Sequence, residues 1–179
     1  MHEPSATVLK HCSADDLEHH LDDFGGLLHA CVHDGANISF VLPFDVPDSL
    51  AFWRHAVLPD LRQGTRRLVS VWDGAILAGA VQLAPATMPN QTHRADVSKL
   101  LVHPDFRRRG LARVLMAELE GLALDQGFTL LTLDTTTGSS AEPLYTSLGF
   151  ETAGVIPNYC RDPIADRIDP TTLMFKILK

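Results

Sequence analysis

The feature that most limits the fold is a stretch in the middle of the chain where a strand-like run, a basic turn and an amphipathic helix follow one another without a linker. RADVSKLLV (94–102) reads as a strand, and HPDF breaks it at Pro104. From Gly110 onward, Leu111, Val114, Leu115, Leu119 and Leu122 recur at helical spacing as far as Gly127. FTLLTLDT (128–135) then reads as a buried strand. A chain that alternates elements in this way packs them in layers, as mixed α/β.

The flanks extend the alternation. ATVLKHC (6–12) reads as a short strand, and Ser13, with Asp15 and Asp16 behind it, caps a helix running to about residue 30. Asp45 begins a second helix, with Pro47 near its start and Gly64 just past its end. RRLVSVWDGAILAGAVQLA (66–84) is two strands joined by Asp73-Gly74, a dipeptide suited to a tight hairpin turn. SSAEPLYTSLG (139–149) makes a short helix, and FETAGVIPNYC (150–160) and TTLMFKILK (171–179) make two late strands. With 179 residues and neither repeat nor low-complexity linker, one domain spanning 1–179 is expected.

Charge and cysteine usage exclude several classes. Asp and Glu number 22 against 15 Lys and Arg, a net charge of −7, which argues against a general binder of nucleic acid or of an anionic membrane. No apolar run reaches the length of a membrane span, and MHEPSATVLK lacks the regions of a signal peptide, so a soluble, cytoplasmic protein is expected. Cys12, Cys31 and Cys160 are odd in number and scattered, and read as free thiols. His29 and His33 flank Cys31 without a third ligand at metal-site spacing, so no metal is expected.

Against that acidic background FRRRGLA (106–112) stands out. It lies between a strand and a helix N-terminus, where unpaired amides and about half a positive charge from the macrodipole attract phosphate. Gly110 and Ala112 leave the backbone open, and the arginines add charge and donors. Taken alone, RRRG reads first as a solvated basic turn, and its context has to decide otherwise. It is not a Walker loop, since no GK[ST] follows, nor a dinucleotide fingerprint, since G-x-G-x-x-G is missing.

The whole stretch VSKLLVHPDFRRRGLARVLMAELEGLA resembles the acetyl-CoA-binding motif of the GNAT acyltransferase superfamily, with Arg107, Gly110 and Ala112 at the motif's defined positions. LDTTTGSSAEPLYTSLGFETAGVIPNY resembles the second half of that family's core through Ala141, Tyr145 and LGF, with Gly138 where many members carry Asn. IPNYCRDPIADRIDPTTLMFKIL is similar to a subgroup that includes the tabtoxin resistance protein. The resemblance covers roughly residues 65–179.

It implies a mixed sheet in which two neighbouring parallel strands, 95–102 and 128–134, splay apart around a thioester. Leu100, Leu101 and Val102 would pair with the pantetheine arm of acetyl-CoA like an added strand. Arg107, Arg108, Arg109, Gly110, Leu111, Ala112 and Arg113 would hold its pyrophosphate, and amides near Val102 would stabilise an oxyanion. Tyr145 is the implied general acid toward the leaving thiolate, since a phenol stays protonated at neutral pH; a core aromatic is the competing reading.

Asp134, at the carboxyl end of its strand, is a candidate to bind or deprotonate the amine, with water as the alternative base and a merely solvated carboxylate as the competing reading. Asp96 faces the same cleft or simply water. The expected activity is acetyl transfer from acetyl-CoA to a small-molecule amine, plausibly an amino-acid-like toxin or antibiotic. A protein N-terminus or lysine as acceptor, and a non-catalytic acyl-CoA sensor, stay open. So does a homodimer, for which the sequence carries no symmetry signal.

Overall fold

A computed structural model describes residues 7–179, so Ala6 and most of the segment weighed above as a leader lie outside the described residues. Its centre is one seven-stranded sheet of order β1-β2-β3-β4-β5-β7-β6. The strands are β1 (Thr7–Cys12), β2 (Arg67–Asp73), β3 (Ile76–Pro85), β4 (Arg94–Val102), β5 (Leu130–Thr136), β6 (Glu151–Arg161) and β7 (Ile168–Ile177). All neighbours are antiparallel except β4 and β5. Those two are joined by the helix α5 (Leu111–Asp125), which lets them run in the same direction. The Asp73-Gly74 hairpin forms as expected, with Gly74 at φ 61°.

Each face of the sheet carries its own core. Along β2 and β3 the side chains alternate, Val69, Val71, Ala78 and Val81 going to one face and Leu68, Trp72, Leu77 and Ala80 to the other. The first set meets Leu111, Leu115, Met116 and Leu119 of α5. The second meets Leu17, Phe24, Leu28, Trp53 and Val57 from the amino-terminal helices. Burial on both faces is why these strands read as nearly continuous apolar runs.

Both amino-terminal helices are capped as the sequence implies but are not continuous. Ser13 and Asp16 form a capping box at the start of α1 (Ala14–His19), yet the chain breaks at His20 before α2 (Leu21–His33). His20 leaves helical geometry to place its ring 4.7 Å from that of Trp72 and to meet Asp23 at 3.0 Å. Asp45 and Asp48 box the start of α3 (Val46–Phe52), and Gly64, left-handed at φ 71°, ends α4 (Leu58–Gln63). Between them Trp53–Val57 widens into a π turn, because Pro59 has no amide for the carbonyl of His55. The short helix α6 (Ala141–Ser147) follows β5.

Candidate active site

The parallel pair β4 and β5 holds together over three residue pairs only, Arg94 with Leu130, Ala95 with Leu131 and Asp96 with Thr132. Beyond them the strands separate, and the edge of β4 from Val97 to Val102 has no strand partner on the β5 side. On its other side β4 stays paired with β3, but with a bulge: Lys99 and Leu100 oppose the single residue Val81, and Lys99 takes φ 50°. The opening between the strands is part of a cleft of about 810 Å³, within the range of small-ligand sites.

At one end of the cleft lies the basic turn. Arg108 and Gly110 are both left-handed, at φ 61° and 79°, and no side chain caps α5. The amides of residues 108–112 make no hydrogen bond among the described residues, so they form an open crown of donors at the positive end of a 15-residue helix. A Cβ at Gly110 would meet nothing within 4 Å, so close packing does not require glycine there. A nest of amides without protein partners, beside an unpaired strand edge, suits a ligand with a pyrophosphate and an amide-bearing arm, the two recognisable parts of acetyl-CoA.

Leu100, Leu101, Val102, Arg107, Arg108, Gly110, Leu111, Ala112, Arg113, Asp134 and Tyr145 all line the cleft. Asp96 and Arg109 do not. The Asp96 carboxylate accepts from Arg94 at 2.5 Å and from the Thr132 hydroxyl, closing the root of the splay. Arg109 lies 3.3 Å from Asp73 and stacks over Phe106, so its side chain braces the turn from outside. Arg107 donates to Asp34 and, through Nε at 3.3 Å, to the carbonyl of Val102. Gly138, left-handed at φ 76°, donates its amide to Glu142 at 2.7 Å.

Tyr145 is both core and cleft. Its ring packs edge-on against Phe150 at 5.7 Å, only 8% of the residue is exposed, and its hydroxyl has no hydrogen-bond partner among the described residues. Burial, with help from the charge of Asp134, pushes its pKa up to about 12, so the phenol keeps its proton throughout the neutral range. Asp134 accepts a hydrogen bond from Thr171 at 3.1 Å. Cys31, on the cleft wall, donates to the carbonyl of Val102 at 3.5 Å, and burial raises its pKa to about 11. His29 and His33 stack at 4.1 Å, and His33 Nε2 lies 2.7 Å from the Phe44 carbonyl oxygen.

Several cleft residues escaped the sequence reading. Asp34 and residues 35–39 follow α2, and Arg167 follows β6; together they wall part of the cleft. Leu42 donates its amide to Pro163 at 2.9 Å, and Asn37 reaches Cys160 at 3.3 Å, so the two loops meet. Nothing local in either loop announces this. Lys99 had a signal: it is the single charge in the otherwise apolar run VSKLLV.

A sheet pried open beside a bare amide crown defines an enzyme of the acyl-CoA-dependent transferase class. The family model for acetyltransferases of the GNAT family matches residues 32–150, and the chain belongs to that family. Membership makes it an acetyl-CoA-dependent N-acetyltransferase. Solved structures agree in fold. An N-acetyltransferase from Staphylococcus aureus Mu50 superposes with TM-score 0.79 at 15% identity, covering 98% of this chain and 100% of that one. A proposed acetyltransferase from Salmonella typhimurium, solved with its cofactor acetyl-CoA, gives 0.77 at 18% identity, covering 98% and 95%. The ribosomal-protein-alanine N-acetyltransferase from Brucella melitensis gives 0.73 at 21% identity, covering 96% and 99%.

Proposed function

We propose that the protein acetylates the amine of a small, amino-acid-like molecule such as a toxin or antibiotic, and that residues 1–179 act as one domain. The observation that carries this reading is the union, in one cleft, of the amide crown at 108–112, the unpaired edge of β4, and the pair Asp134 and Tyr145. Acetyl-CoA supplies an acyl group on a sulfur that leaves readily. The crown, with Arg107, Arg108 and Arg113, holds its pyrophosphate, and Leu100 to Val102 hold the pantetheine arm along β4.

Asp134 receives the acceptor's ammonium, and either it or water takes the proton that frees the nitrogen lone pair. Tyr145 gives its proton to the departing sulfur as the new C–N bond forms and the C–S bond breaks, and burial keeps that proton in place until then. The roles of Asp96 and Arg109 in this reading are structural, at the root of the splay and behind the turn.

The joined loops at the acceptor end support a small acceptor over an extended peptide. Likeness of the tail to the subgroup that includes the tabtoxin resistance protein supports an amino-acid-like one. A protein N-terminus draws its support from the structural likeness to the Brucella ribosomal-protein-alanine enzyme. Thiol release from acetyl-CoA, measured across amino acids, β-lactam toxins and peptides, separates them: release is expected with small amines. Release confined to peptides would overturn the small-molecule reading, and absence of acetyl-CoA binding would overturn all of it.

A further inference from the structure

We propose that Lys99 reads a carboxylate on the acceptor, so that the amines acetylated at this site are those of α-amino acids and related zwitterions. The inference deepens the function proposed above and rests on its placing the acceptor beside Asp134.

Lys99 is aimed by the backbone. It occupies the bulge of β4, and for a residue with a Cβ the left-handed φ of 50° carries a cost of about 1 kcal/mol. Bulges of this kind re-aim a side chain. Here the ammonium reaches the cleft, 3.0 Å from the Ser39 hydroxyl and 5.7 Å from the ring centres of both Phe40 and Phe52. The two rings flank the ammonium, and with one donor spent on Ser39 it keeps others for a ligand in the cleft that Lys99 lines.

Charge pairing inside the cleft isolates this lysine. Asp34 is taken by Arg107, while Asp162 and Asp169 are both taken by Arg167. Among the described residues, Lys99 has no carboxylate within ion-pair distance, and Asp134 has only the Thr171 hydroxyl. Apart from Arg108 and Arg113, which stand at the basic turn, Lys99 is the cation and Asp134 the anion left in the cleft without an ionic partner among the described residues. A half-buried ammonium without a paired carboxylate is costly, and burial pulls the Lys99 pKa below its ordinary value, with the unpaired charge of Asp134 opposing. A zwitterion answers both charges at once: its ammonium goes to Asp134 and its carboxylate to Lys99.

The test compares each common L-amino acid with its α-carboxamide and its decarboxylated amine, in the wild type, Lys99→Met and Lys99→Arg. Acetylation by the wild type should favour the amino acid by roughly tenfold or more in kcat/KM, the scale of one charged hydrogen bond. Lys99→Met should bring that ratio to within about threefold, mainly through KM, and Lys99→Arg should restore part of it. Acetyl-CoA affinity of each variant reports that the bulge has kept its shape. Calorimetric binding of the same compounds without acetyl-CoA reads the contact apart from turnover.

A wild type indifferent to the carboxylate, or a Lys99→Met variant that keeps the preference, overturns the inference. Carboxylate binding that depends on Lys99 but leads to no acetylation overturns the proposed reaction and leaves the carboxylate site standing. Neither binding nor acetylation of any compound overturns both.

Discussion

The guanidinium of Arg107 donates to the carboxylate of Asp34, 73 positions earlier in the chain, and ties the first arginine of the basic turn to the end of α2. The same side chain reaches the carbonyl of Val102 at 3.3 Å, so one residue links the basic turn, the β4 edge and the loop after α2. Replacing it exposes an acid as well as removing a base.

Arg107→Glu should weaken acetyl-CoA binding by tenfold or more, about 1.4 kcal/mol, because the basic turn loses a cation and a second carboxylate then stands beside the freed Asp34. Arg109→Ala, which loses only the brace on Asp73 and Phe106, should cost less than about threefold. Asp34→Asn should recover part of the loss in the double variant. Calorimetric titration with acetyl-CoA checks all three, and equal losses at Arg107 and Arg109 would return the turn to a general basic patch.

Tyr145→Phe keeps the ring that packs on Phe150 and removes only the hydroxyl. Turnover at saturating substrates should fall by roughly 10²- to 10⁴-fold, the usual worth of a positioned acid, with acetyl-CoA affinity nearly unchanged. Unchanged turnover would leave Tyr145 a core aromatic.

The same residue sets a limit on alkaline stability. Burial raises Tyr145 from an ordinary value of 10.0 to about 12 and Cys31 from 9.0 to about 11. On raising the pH the unfolded chain gives up these protons before the native state does, so the stability is complete below about pH 9 and is lost between about pH 9 and 12. In Tyr145→Phe the portion above pH 10, on the order of 2 kcal/mol, should vanish. Denaturant unfolding of both proteins at pH 9 and pH 11.5 measures it.

Two glycines should respond in opposite ways to alanine. At Gly79 a Cβ would stand 2.7 Å from the Leu101 carbonyl oxygen and 3.1 Å from Leu115, so Gly79→Ala should destabilise the fold by about 1–3 kcal/mol and displace β4. At Gly110 the added carbon meets nothing, and the stability loss is limited to about 1–2 kcal/mol of left-handed backbone strain. Acetyl-CoA affinity should suffer there instead, since Gly110 lines the cleft and strain in its left-handed backbone turns the neighbouring amides. Thermal melts alongside acetyl-CoA titrations distinguish the two.

What was legible in the sequence was local. Capping by Ser13 and Asp45, the Asp73-Gly74 turn, the end at Gly64 and the glycine at the head of α5 depend on hydrogen bonds spanning a few residues, and each is found as read. The break at His20 was not legible, since it answers to Trp72 on β2, whereas that at Trp53–Val57 had a local signal in Pro59 that a single helix over this stretch overlooks.

The amino-acid sequence alone determined the strand, turn and helix order, the phosphate-ready helix start and the family, because period, charge and glycine placement are written within about 30 residues of one another. Tertiary structure alone decided that β7 enters between β5 and β6, that β4 and β5 part beyond Asp96 and Thr132, and that Asp96 stays at the root of the splay while Lys99 reaches the cleft. Asp34 meets Arg107, and the loop after α2 meets the turn after β6, through the same long-range packing. Such pairings are chosen by which faces of the sheet must be covered and which charges can be neutralised in a shared space. Neither condition exists until the chain has closed on itself.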